Sequence, residues 1–141
     1  MMTTKRLEEL GSFYIIKTRH PVQDLHCQAD LNRLGLVYKC FDYMAGFSNP
    51  ASVIAISNKN DKVRVFSAVQ DLANKLQNRK FLAVHPDFSI TSWVIKDPDG
   101  AIFKYQPTKH KEQFVECNID ATSKIGRYFY DGDNKVYYIA L

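Results

Sequence analysis

From Phe81 to Leu141 nearly every segment of the chain reads as a short strand, and the connections between segments are too short to hold a crossover helix. Ser89–Lys96 and Ala101–Gln106 flank Asp97-Pro98-Asp99-Gly100, where proline presets φ and glycine supplies a left-handed residue. Lys124–Tyr130 and Lys135–Ala140 flank Asp131-Gly132-Asp133-Asn134 in a similar way, so the two late hairpins look alike. Phe81–Val84 and Glu112–Cys117 add two further strands. Hairpins join antiparallel neighbours, so a mostly antiparallel sheet is expected.

The first half mixes helices with strands. Thr4 is placed to cap a short helix, Lys5–Leu10, stopped by Gly11. Phe13–Lys17 is a strand apolar enough to be buried on both faces. His20-Pro21 opens a helix, with proline at its first position, that ends at Leu34 before Gly35. Its apolar residues fall in two rows, Val22/Leu25/Ala29 and Cys27/Leu31/Leu34, which predicts one broad buried face. Leu36–Phe41 is a strand and Asp42–Pro50 a loop. Ser52–Ser57 and Lys62–Phe66 read as a hairpin around Asn58–Asp61. Ser67 and Gln70 form a capping box, so a second helix is expected from there, with Val69, Leu72, Ala73 and Leu76 inward and fraying near Asn78. The expected architecture is α+β: a mostly antiparallel curved sheet of about nine short strands with two main helices packed on one face. The whole chain, residues 1–141, reads as a single compact domain.

With 45% hydrophobic and 13% aromatic residues in 141, there is ample material for a packed core. The net charge of +4 is spread along the chain, whereas a nucleic-acid binder usually concentrates its basic residues. The densest groups are Lys75, Arg79 and Lys80, then Lys104, Lys109 and Lys111, as expected for solvated lysines. Cys27, Cys40 and Cys117 form no close pair, and an odd set without a secretory signal points to a reducing compartment. No apolar run approaches the roughly 20 residues of a membrane span, and the polar N-terminus lacks a signal-peptide core. A cytoplasmic location without membrane contact is the expectation.

No motif names a reaction. There is no Gly-rich phosphate loop, no GxSxG, no HExxH and no paired-cysteine zinc signature. The Asp-x-Asp turns fail as EF-hands, because the closing carboxylate is replaced by Thr108 after Asp97 and falls beyond Leu141 after Asp131. They read as exposed hairpin turns. The segment from Trp93 to Tyr105, with its Asp97–Gly100 turn, resembles the last strands of the vicinal oxygen chelate superfamily, which includes glyoxalases and bleomycin-resistance proteins. That resemblance implies a glutamate metal ligand where this chain has Lys104, and a further ligand in the first strand, where Phe13–Lys17 has no histidine. No metal and no cofactor is therefore expected.

Around the first helix, His20/Asp24 and His26/Asp30 stand at i,i+4 spacing, where each carboxylate can hold and charge its histidine. Cys27 is next to His26, but adjacent helical residues face different ways, and an inert buried thiol is expected. His85 and His110 are isolated. The last hairpin carries Tyr128, Tyr130 and Tyr137, with Arg127 nearby, a set suited to a protein interface or to base stacking.

These features favour a non-enzymatic binding protein that inhibits or regulates a protein partner through Arg127, Tyr128, Tyr130 and Tyr137. The second reading is a small-molecule binder or small enzyme with a pocket in a sheet concavity near His20, Asp24, His26 and Trp93. The third is a nucleic-acid-binding module. A homo-oligomer is compatible with each.

Overall fold

The computed structural model describes residues 2–3, 5–18, 21–45, 50–59, 61–97, 99–108 and 112–141. The expected cap at Thr4, the His20 side of the first helix, the loop core at 46–49, and His110 with its flanking lysines lie outside the described residues.

Nine strands are seen among the described residues. The first half runs β1 (Phe13–Thr18), α1 (Pro21–Leu34), β2 (Tyr38–Ala45), β3 (Ala51–Ser57), α2 (Lys62–Lys75) and β4 (Lys80–Val84). The second runs β5 (Ser89–Ile95), β6 (Tyr105–Pro107), β7 (Glu112–Cys117), α3 (Ile119–Ile125), β8 (Arg127–Asp131) and β9 (Val136–Ala140). The first six elements form a double split βαβ unit with strand order β4-β1-β3-β2. The second half continues the sheet through β8, β9, β7 and β5, and β5 pairs with β4. The sheet is thus antiparallel, as expected, but it closes into an eight-strand barrel rather than remaining an open curve. β6 and β7 lie one after the other along the same edge of β5.

Closure follows from strands that are apolar on both faces, since the second face must also be buried and a closed sheet has no free edges. The outer face of β1, β3 and β4 carries Ile16, Ile54, Ile56 and Phe81, covered by Cys27 and Leu31 of α1 and Val65, Val69 and Leu72 of α2. The inner face carries Phe13, Ile15, Phe41, Val53, Phe114, Phe129 and Tyr138, which fill the barrel. α1 and α2 thus pack on the outer surface of the barrel, and α3 is a third helix beyond the two expected.

Several local readings change. Lys62–Phe66 is not a strand but the first turns of α2, whose N-cap is Asp61, accepting from the Arg64 N–H at 3.1 Å. Its β-branched residues are overridden because Val65 continues the buried row of Ala68, Val69 and Leu72. Nor does α2 fray: Gln77 takes a left-handed φ of 56° and the Asn78 N–H closes on Ala73 at 2.9 Å, a Schellman-type end. α3 replaces the start of the strand expected at Lys124, capped by Asn118 and stopped by Gly126 at φ 76°. Residues 42–45 extend β2 into the expected loop. On α1 only one of the two rows is covered, leaving Val22 and Leu25 exposed.

One end of the barrel is stopped by a 3₁₀ turn, Leu7–Leu10, whose two leucines are buried with Phe13 and Val136. Ser57 Oγ donates to the Leu10 carbonyl at 2.8 Å, and the Tyr138 hydroxyl donates to Glu8 at 3.1 Å. Arg6 bridges Glu8 at 3.2 Å and Glu116 at 2.7 Å. Burial pushes the Glu8 carboxyl up, but bonds from Arg6, a backbone N–H and Tyr138 outweigh this and leave it below its ordinary value of 4.5. A carboxyl lowered by folding adds stability that is present above its unfolded pKa and lost as pH falls through the folded one. Urea midpoints followed from neutral pH to below 4.5 are expected to fall less steeply for Glu8→Gln than for the parent; equal acid limbs would remove Glu8 from that role.

Candidate functional site

Side chains alternate along each strand, so the register fixes which residues face into the barrel at the end away from the Leu7–Leu10 stopper. Ile15 lies opposite Leu82, the last paired residues of β1 and β4, and Lys17 and Lys80 are the next residues on the same face of each strand beyond that pair. Tyr43 of β2 lies opposite Phe129 of β8, and Ala45 opposite Arg127. Lys17, Tyr43, Lys80 and Arg127 line a mouth of about 270 Å³, with Ile15, Leu82 and Phe129 below; Asn78, Arg79, Phe81, Glu112, Tyr128 and Ala140 also line it.

The mouth is cationic. Among the described residues that line it, Lys17, Arg79, Lys80 and Arg127 are basic and Glu112 is acidic. Among the described residues the ion pairs all lie elsewhere: Arg6 with Glu8 and Glu116, Asp30 with Arg33 and Lys75, and Lys39 with Asp131 and Asp133. Lys17 and Lys80 line the same opening, and among the described residues neither stands in an ion pair. The Lys17 ammonium lies 4.1 Å from the centre of the Tyr43 ring. Removal from water, and then the Lys80 charge, hold Lys17 below the ordinary lysine value.

The backbone under these cations is pinned. Asn78 is buried; its amide donates to the Lys17 carbonyl at 2.8 Å, and its own carbonyl accepts from the Tyr105 hydroxyl at 2.7 Å. The end of α2 thus holds β1 where Lys17 projects. Lys80→Glu places an opposite charge near Lys17 in place of a like one, so it is expected to raise stability by about 0.2–1 kcal/mol. Urea unfolding of the variant beside the parent tests the sign.

The sequence-predicted residues fall in separate places. Arg127 is at the mouth, whereas Tyr130 and Tyr137 lie back to back with it on the outer face, by alternation. Tyr128, Tyr130 and Tyr137 do come together, with ring centres 5.7 Å and 4.7 Å apart. The described members of the expected first-helix site, Asp24, His26 and Trp93, have different surroundings. Asp24 bonds Thr18 and Gln28, and Asp30 pairs with Arg33 and Lys75. His26 is exposed beside a separate opening of about 320 Å³ between α1 and α2. His20 lies outside the described residues. Trp93 packs under α2 against Phe66 at 4.8 Å and stacks on Phe81 at 6.1 Å. Burial, then Asp24 and Asp30, push the Cys27 thiol up to about 11, which makes it a poor nucleophile.

The basic groups also divide, since Lys75 pairs with Asp30 on the helical layer while Arg79 and Lys80 serve the mouth. Asp131 corrects the reading of the last turn: it is not exposed but fully buried, 3.2 Å from a fully buried Lys39. Sequence reading missed Lys17, Lys80 and Glu112 as one group. The available signal was their strand phase, which needs the register to become useful.

Comparison of the chain with protein-family models, curated proteins and solved structures finds no match. The strand after the Asp97–Gly100 turn, β6, carries no carboxylate, and Lys104 before it is exposed. Among the described residues no three His, Cys, Asp or Glu side chains gather as a metal site. No described helix is long and apolar enough to cross a membrane. The site is therefore read from its own chemistry.

Proposed function

We propose that this is a binding protein whose ligand is a small organic anion held in the mouth of the barrel. The observation that supports this reading is the nearness of Lys17 and Lys80, two cations lining one opening above an apolar floor, neither of them in an ion pair among the described residues. A cleft lined by one sign of charge with low-dielectric walls concentrates ions of the other sign. The floor of Ile15, Leu82 and Phe129 suits the hydrocarbon part of the ligand, and the cations suit its acid group.

Hexanoate is a direct probe. Titrated into the labelled protein, it is expected to give saturable amide shifts confined to the mouth ends of β1, β4 and β8, lost in the Lys17→Met/Lys80→Met variant. Absence of saturable shifts, or shifts centred on another face, would overturn the proposal.

A second reading, regulation of a protein partner, draws on the clustering of Tyr128, Tyr130 and Tyr137, which belong to neither core. A partner captured by the parent and lost with Tyr130→Ala/Tyr137→Ala would favour it. Capture unchanged by those substitutions counts against that face.

A further inference from the structure

The order of strands around the barrel places the mouth cations on two opposite walls. From β4 the ring runs through β1, β3 and β2 to β8 in one direction, and through β5, β7 and β9 to β8 in the other. β4 and β8 are therefore diametrically opposed. Lys80 projects inward from β4, with Lys17 beside it on β1, while Arg127 projects inward from β8. Arg127 sits opposite Ala45, a small residue, and is exposed. Between the two walls lie the apolar side chains of Ile15, Leu82 and Phe129.

A ligand with one acid group satisfies one wall and leaves the other wall's charge unpaired inside the mouth. We infer that the ligand carries an anionic group at each end of a short apolar spacer, one end on Lys17 and Lys80 and the other on Arg127. The simplest form is a straight-chain dicarboxylate, whose far carboxylate a guanidinium takes through two parallel hydrogen bonds. Glu112 supports the same class. It stands on β7, midway round the ring between β8 and β4, and so faces the middle of the spacer. A carboxylate there repels a third acid group and accepts from a hydroxyl or amine.

This inference rests on the anion-binding reading, and the test separates the two. Calorimetric titrations compare straight-chain diacids from succinate to suberate with monoacids of matched length, using the parent protein and Arg127→Met. The diacid is expected to bind about tenfold or more tighter than its matched monoacid, the worth of one charge-assisted anchor, with a maximum at one chain length. In Arg127→Met that ratio falls to about one while monoacid binding persists. Circular dichroism and the urea midpoint check that the variant is folded. Equal binding of diacid and monoacid by the parent, or a preference without a length optimum, overturns the two-ended ligand and leaves the anion site standing. Failure of both acids to bind overturns the anion site itself.

Discussion

Replacing Lys39 by alanine is expected to lower the unfolding free energy by about 3–5 kcal/mol, the cost of stranding a buried charge. Lys39 and Asp131 are inside the barrel with side-chain exposures of 0% and 1%, and their charged atoms are 3.2 Å apart. Without the ammonium, Asp131 retains a bond from the Asn134 amide at 2.9 Å but no counter-charge in contact. Asp133 is also 3.3 Å from Lys39, but it is 53% exposed, so water screens its share. The paired change Lys39→Met/Asp131→Leu removes both charges at similar volume, and it is expected to recover most of the loss. Urea unfolding followed by Trp93, the single tryptophan, measures each variant. A loss below about 1 kcal/mol for Lys39→Ala is the value of an exposed pair, and it would show that the pair is not buried in solution.

Phe129→Ala is expected to cost a similar amount, about 3–5 kcal/mol, through lost transfer energy and the cavity left behind. Its ring centre lies 5.7 Å from Phe41, 5.0 Å from Tyr43 and 5.4 Å from Phe114, so three other rings lose a neighbour. The same ring forms part of the floor of the mouth. The variant should therefore bind longer or bulkier acids relative to short ones, compared with the parent. Tyr128→Ala, one residue away but half-buried on the other face, should cost far less. Equal losses at the two positions would contradict the inward–outward alternation on which the site is built.

How much of this was legible in the residues depends on the range of the interaction concerned. β1, α1, β4, β7 and β9 follow from apolar period, a proline at a helix start and turn residues, all local signals. Lys62–Phe66 failed because Val63, Val65 and Phe66 satisfy a strand as well as a helix, and Asp61 reads equally as a turn residue or a cap. α3 had its cap at Asn118 and its stop at Gly126, but its seven residues hold too few apolar positions to show a period. The last turn misled because an Asp-x-Asp sequence is the same whether it meets water or Lys39. Arg127 was selected for the tyrosines beside it, and it belongs instead with lysines on strands far away in sequence.

The sequence by itself determined that helices and strands are mixed, the antiparallel sense of the sheet and, within each strand, the face each side chain shares with its neighbours two positions away. Those follow from backbone geometry and short turns, and they need nothing distant. Only the tertiary structure decided that β4 meets β5, so that the sheet closes and its inner face becomes a filled barrel with one cationic mouth. Closure and register are long-range pairings. A strand's period of two says which residues share a face, but the neighbouring strand decides which charge stands near Lys17, here that of Lys80.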